Sequence, residues 1–361
     1  PSSFGVFLLL SICLFLRGRT WLATILLPLT ASVHPTYLLS AAVLTAAYML
    51  VIYLEKKEFK QPVLMGGLSL VLVIPIVAYT LNVFAPSDPE LYAKTRADMV
   101  NFRIPHHAVI AEWFDWGVIF GLAVFLIVLL LVRKTRLFWV LALLGGVSIL
   151  LTGVQVFVSN DSLALLFPWR ISALLFPLST GILIGFGLEK IWPSLEHFVV
   201  KKQGAFFYGM LVVLLLGVMA FGVARYKLEM QQKLSDPARP MMAYVAEHLG
   251  RGQAFIIPTD MQDFRLMTGA PVVADFKSIP YKDYEFADWL TRIQNVNRFY
   301  RDPNDLDNCY RLRRLSIEFQ ARYVVLPPDK LDLTCPGLYE MYNDGTYAVS
   351  YVNIPDLTKE K

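Results

Sequence analysis

Charge is scarce in this chain. Of its 361 residues only 17% are Asp, Glu, Lys or Arg, whereas 56% are apolar and the mean hydropathy is +0.50. That balance excludes a disordered chain and an ordinary soluble globule, and places the sequence among membrane proteins. Cysteine is scarcer still: three residues are too few for a disulfide framework. No Gly-rich phosphate fingerprint occurs, so nucleotide binding has no support, and no basic stripe interleaved with aromatics points to nucleic acid. The long apolar runs hold prolines (Pro28, Pro75, Pro177) and glycine pairs (Gly66-Gly67, Gly145-Gly146) but hardly a charge. The intramembrane ionisable groups through which transporters couple are therefore missing.

What is present is a series of hydrocarbon stretches. A spanning helix needs about 20 mostly apolar residues, and the sequence predicts helices near 4–16, 20–33, 36–54, 62–83, 116–132, 137–157, 171–188 and 205–225. The first two are short; 20–33 reads equally as a half-span turning at His34-Pro35. The chain opens on Pro-Ser-Ser without an initiator Met, and we expect an N-terminal portion to precede it. The predicted fold is thus an α-helical polytopic membrane domain over 1–226, with about eight transmembrane or half-spanning helices. A small extracytoplasmic α/β domain follows over 227–361.

Orientation rests on lysine and arginine, which collect in cytoplasmic loops. If every helix crosses, Arg17 and Arg19, then Lys56, Lys57 and Lys60, then Arg133, Lys134 and Arg136, then Lys201 and Lys202 share one side. That leaves loop 84–115, loop 158–170 and everything after Tyr226 outside. The tail carries 17 basic against 19 acidic residues, so the basic excess of the whole chain, 33 against 29, lies in the first 226 residues. The pI near 8.8 reflects loop anchoring.

Within the tail, "PMMAYVAEHLG" (240–250) has helical spacing and a terminating glycine. "AFIIP" (254–258), "PVVADF" (271–276) and "RYVVLP" (322–327) read as buried strands, and "YAVSYVNI" (347–354) as an edge strand. "YEFADWLTRIQNVNRFY" and "LDNCYRLRRLSIEFQ" have the period of covering helices. A partly parallel sheet flanked by helices is expected. Cys309 and Cys335 are candidates for a disulfide, because topology puts the tail in an oxidising compartment. Cys13, inside a helix, reads as packing.

Three constellations carry candidate chemistry. The first is "NFRIPHHAVIAEWFDW" (101–116), with Arg103, His106 and His107. Neighbouring residues of a helix or strand diverge, so the histidines are poorly placed to share one metal, but either can shuttle protons or, when charged, hold a phosphate. The plainer reading makes "IPHH" the end of a loop before an interfacial helix, with Trp113 and Trp116 at headgroup level. The second is "SNDSLALLFPWRIS" (159–172). Its Arg170 either snorkels to the interface or offers a planar fork to a phosphate or pyrophosphate beside Arg103. The third is "DFRLMTGAPVVADFKSIPYKDYEFADW", with Arg265, Asp275, Lys277 and Tyr281 in a loop beyond a strand end, where open α/β sheets bind ligands. Its plainer reading pairs Lys277 with Asp275 as a latch across a turn.

"ASVHPTYLL", "FRIPHH", "LFPWRIS" and "DFRLMTGAPVVADFKSIPYKDYEFADWLTRI", set in long spans joined by short basic loops, resemble the C-terminal part of bacterial polytopic membrane proteins. The architecture of those proteins is similar to the GT-C class of membrane glycosyltransferases. The resemblance implies a polyprenyl-phosphate sugar donor used at the outer face of the bacterial plasma membrane. It also implies an acidic base or metal ligand in a first outer loop, which would lie upstream of Pro1. It gives Arg103, His106, His107 and Arg170 the task of holding the donor phosphate, and it assigns no catalytic residue here. A divalent metal is compatible with such chemistry, although no ligand set is visible. Two rivals remain: a non-catalytic subunit whose external domain binds a protein partner, and, third, a transporter.

Overall fold

The computed structural model describes residues 5–158, 160–199, 203–249, 252–302 and 305–354. The chain is mostly helical and divides into two compact units, Pro1–Lys201 and Lys202–Lys361. The compositional boundary at Tyr226 falls inside a helix of the second unit. Phe4, Lys201, Lys202 and Gly250, which figure in the sequence reading, lie outside the described residues.

The first unit opens with α1 (Gly5–Leu16), α2 (Thr20–Val33), α3 (Leu38–Lys56) and α4 (Lys60–Val83). A polar segment follows with α5 (Pro89–Asp98), a π turn at Met99–Arg103 and the single turns α6 (Pro105–Ala108) and α7 (Ile110–Trp113). Then come α8 (Trp116–Leu131), α9 (Arg136–Val158), the turn α10 (Asp161–Ala164) and α11 (Ser172–Val199). Among the described residues four stretches are long and apolar enough to cross a membrane: Pro35–Lys56, Lys60–Val83, Arg136–Val158 and Asp161–Ile191. The helices α1, α2 and α8 are apolar but shorter. Where polar segments meet these helices, short side chains satisfy the first free backbone N–H groups. Asp88 accepts from Leu91 N, Asp115 from Val118 N and Asn160 from Leu163 N, at 2.9, 2.9 and 3.0 Å.

The interior of this unit is mostly apolar. Phe15 and Tyr48 stack at 4.0 Å. The buried Ser11 hydroxyl is satisfied by the Ala23 carbonyl at 2.9 Å and the Tyr48 hydroxyl at 3.0 Å, as a polar group in an apolar core requires. Two glycines let aromatic rings close on the backbone: a Cβ on Gly145 would lie 2.4 Å from the Phe125 ring, and one on Gly121 2.5 Å from the Phe176 ring. Gly145→Ala is therefore expected to destabilise the bundle by about 1–3 kcal/mol through overpacking. Phe125→Leu in the same chain should recover much of that loss; a melting temperature unmoved by Gly145→Ala would refute the close packing.

Basic loops that are far apart in sequence meet at one end of the bundle. Arg136 grips Glu55 with two bonds, 2.6 and 2.7 Å. Lys56 donates to Gln61, which donates to Thr20 beside Arg19. His34 and the polar segment before α8 occupy the other end.

The second unit begins with α12 (Gln203–Leu234), one helix of 32 residues that contains the expected 205–225 stretch. It continues with α13 (Arg239–His248), β1 (Ala254–Ile256), α14 (Phe264–Thr268), α15 (Asp283–Arg301), α16 (Asp305–Phe319), β2 (Ala321–Leu326), β3 (Leu338–Asn343) and β4 (Ala348–Val352). The helix α15 shows why the amphipathic reading works: Phe286, Trp289, Leu290, Ile293, Val296 and Phe299 recur at three- and four-residue steps and are all buried. Asp283 and Glu285 in its first turn and Arg298 and Arg301 in its last complement the helix dipole.

The sheet has the order β1-β2-β4-β3, with β1 and β2 parallel and the other pairs antiparallel. Two strand assignments need correction. Residues 271–276 form no strand; Val272 makes only an isolated bridge to Phe255, because Pro271 cannot donate and the chain turns away at Asp275. The segment 347–354 is not an edge. Its strand β4 is inserted between β2 and β3, and the edge is Leu338–Asn343, whose mostly exposed side chains hid it from an apolar pattern. Cys309, on α16, and Cys335, before β3, are joined by a disulfide with Cα atoms 5.4 Å apart.

Candidate functional site

At the His34 end of the first unit, the first two constellations come together. The chain is bent there by a strained residue: Phe167 has φ +49°, a left-handed conformation that a bulky side chain rarely adopts, and such strain clusters at ligand sites. It launches the 3-10 turn Pro168–Ile171 that carries Arg170. The Phe167 ring has the Arg170 guanidinium 5.8 Å from its centroid and meets the His107 ring edge-on at 6.2 Å. Trp113 stacks on Trp169 at 5.2 Å, and Gln155, on α9, donates to the carbonyl of Ala108. A small cluster of Val100, Ala108 and Ala164 closes the seam beneath.

The electrostatics of this seam have one sign. Burial holds the His107 imidazole below its ordinary value, and His106, Arg170 and Arg103 all act in the same direction. Burial likewise lowers His34, and Arg170 is among the charges that add to it. The charged groups that act on His107 are thus Arg170 and Arg103, with a second imidazole beside them. An anion placed next to His107 would meet their positive potential. The Nδ1 atom of His34 is taken up by Thr36, whose hydroxyl lies 2.8 Å away and whose backbone N–H donates at 3.4 Å.

Several expectations change in detail. The "PHHA" run is itself a helical turn, and the interfacial helix expected over 108–116 is replaced by the one-turn α7 and an extended link. The rings of His106 and His107 do not diverge; their centroids are 4.2 Å apart. Trp113 is half-buried against Trp169, whereas Trp116 stands 82% exposed. Among the described residues no group of three His, Cys, Asp or Glu is placed to hold a metal ion.

The third constellation forms a separate cleft in the second unit. Gly269 adopts φ +70° to end α14, which returns the chain past Arg265. The latch exists, but not between the side chains of Lys277 and Asp275. Asp275 is 4% exposed, and its Oδ1 accepts from the backbone N–H groups of Lys277 and Ser278 at 2.9 and 2.6 Å. Arg265 lies 3.6 Å from its Oδ2, and Trp289 donates to its carbonyl at 3.0 Å. The Lys277 ammonium faces Asp263 at 4.0 Å instead. Tyr281 is exposed and lines neither of the two cavities that open beside Arg265.

Residues 236–296 match a family described as a domain of unknown function, DUF6798. No curated protein matches the chain. The matched segment contains Arg265, Asp275, Lys277 and Tyr281, together with every residue lining those two cavities. The histidine and arginine cluster of the first unit lies outside it.

Sequence reasoning placed Ser278 in the loop beyond Asp275 but missed His34 and Phe167 in the first unit, and Trp289 and Arg292 in the second. The His-Pro break at 34–35 was a visible signal for the first. Phe167 offered none, since nothing in "LFPW" specifies a positive φ.

Proposed function

We propose that this chain is a multi-pass, glycosyltransferase-like protein of the bacterial plasma membrane that acts on a lipid-linked sugar at the outer face. In this reading about eight of its helices cross or half-span the membrane and the C-terminal domain is extracytoplasmic. The observation that carries the proposal is the convergence of Arg170 and His107 on Phe167, with Arg103 and His106 adding positive potential. A polyprenyl tail must stay in hydrocarbon while its charged head reacts in water, so the head belongs at a helix end, which is where these cations lie. Transfer from a sugar phosphate needs positive charge on the leaving phosphate, and arginine and histidine supply it. The Cys309–Cys335 bridge supports an external C-terminal domain, because disulfides persist in oxidising compartments.

The test is turnover of a radiolabelled polyprenyl-phosphate sugar in membranes carrying the full chain. Arg170→Ala and His107→Ala are each expected to lower turnover by about ten- to a hundredfold, the weight of one charge-assisted contact. Arg170→Lys should recover only part, since an ammonium lacks the planar fork. A pH series adds a signature. The donor is a phosphodiester and does not titrate near neutrality, while His107, lowered by burial and its cationic neighbours, is neutral there. A bound anion favours the protonated ring, so donor affinity should rise from roughly pH 8 to pH 6, and this slope should vanish in His107→Ala. The same lowered pKa means that protonation costs the fold stability as pH falls below about 6.5. Full turnover in both alanine variants would abandon the site. A second reading, an accessory subunit docking a protein partner, is favoured by the exposed Tyr281, Tyr310, Tyr339 and Met341 of the C-terminal domain.

A further inference from the structure

The two cavities beside Arg265 measure 640 and 790 Å³ and share Arg265 and Ser278, so they are lobes of one groove. The Arg265 guanidinium bridges them by donating to the Ser278 hydroxyl at 2.8 Å. Each lobe is within the size range of small-ligand sites, about 300–1,000 Å³. The larger lobe is lined by Tyr284, Glu285, Asp288, Trp289 and Arg292, with Arg265 at its border.

Three properties of that lining narrow the ligand. First, charges in the lining are balanced, two guanidinium groups, Arg265 and Arg292, against two carboxylates, Glu285 and Asp288; Asp288 pairs with Arg292 at 2.7 Å, and Lys282, outside the lining, lies 3.6 Å from Glu285. A polyanion or polycation would meet little net field. Second, the polar groups are carboxylates and guanidinium groups, which accept from and donate to the vicinal hydroxyls of a polyol in the same plane. Third, the Tyr284 ring is 51% exposed yet held by its hydroxyl, which faces Glu285 at 3.3 Å and Lys282 at 3.5 Å. A fixed, accessible ring is a stacking platform for the C–H face of a sugar.

We propose that this groove binds a neutral oligosaccharide, stacked on Tyr284 and hydrogen-bonded by Glu285, Asp288, Arg292 and Arg265. Its role as the holder of an acceptor chain rests on the glycosyltransferase reading; the binding itself does not. The experiment is saturation-transfer NMR on the detergent-solubilised full chain, with tetrasaccharides of glucose, mannose and N-acetylglucosamine and a sulfated counterpart. At least one neutral sugar should receive transfer that survives high salt and exceeds that to the sulfated sugar. Tyr284→Ala should weaken it by about tenfold, and Glu285→Gln should weaken it while lowering the melting temperature only slightly, through loss of a carboxylate in the first turn of α15. Arg170→Ala should leave it unchanged, which separates failure of the groove from failure of the membrane site. Absence of transfer to any of the three neutral sugars, transfer confined to the sulfated one, or undiminished binding in Tyr284→Ala would each overturn the proposal.

Discussion

Replacing Cys309 and Cys335 together by alanine is expected to lower the stability of the C-terminal unit by about 3.5 kcal/mol and its melting temperature by on the order of 10–15 °C. The bridge closes a loop of 26 residues. In the chain-entropy account, releasing such a loop frees the unfolded chain by that amount. That loop contains β2, the only strand with both a parallel and an antiparallel neighbour among the described strands. Both cysteines also pack against the core that includes Val296, Phe299, Leu312 and Val324, so a small packing loss adds to the entropic term. The measurement is thermal unfolding of the full chain with and without reductant, followed by hydrogen exchange in 321–326. Reductant should reproduce the double variant in the native protein and do nothing further to the variant itself. A native chain that melts at the same temperature under reducing conditions would show that the crosslink constrains nothing.

How much of this fold could be read from sequence depends on which physical signal each element carries. Apolar runs and helical periodicity were legible because burial and helix geometry act residue by residue: Phe286 through Phe299 follow the predicted face, and the long spans are plain hydrocarbon. The β3 edge was not legible, since its exposed Tyr339, Glu340 and Met341 carry no apolar pattern and its pairing is set by β4. Distance in sequence was the larger obstacle at the sites. Arg170 and His107 stand in different loops, and only the folded seam brings both to Phe167. Buried charge was equally hidden: Lys330 is 6% exposed, its ammonium donating to the Asp302 carbonyl, although lysine is a surface residue by composition. Asp302 in turn faces Arg311 at 2.6 Å, so one corner beside the disulfide is tied by polar contacts that no local motif announces.

The second large effect is expected at Asp275. Asp275→Ala should destabilise the C-terminal unit by on the order of 3 kcal/mol, because it strips acceptors from two backbone N–H groups, those of Lys277 and Ser278. Arg265 contributes little to that figure. Its side chain is 51% exposed and 3.6 Å away, so water and salt screen the pair. Arg265→Ala is accordingly expected to cost under about 1 kcal/mol. Asp275→Asn, which keeps one oxygen acceptor, should fall between the two. The order separates two accounts of this turn. If the carboxylate is there for the backbone, stability falls in the order Arg265→Ala, Asp275→Asn, Asp275→Ala. If it is there for the ion pair, Arg265→Ala and Asp275→Ala cost the same, and high salt erases both losses. Denaturant titration of the full chain, reading the Trp289 environment through its bond to the Asp275 carbonyl, distinguishes them. The outcome also bears on the groove. A turn held by its own backbone leaves the Arg265 guanidinium available to a ligand, whereas a turn held by the ion pair would engage the one charged group that both lobes share.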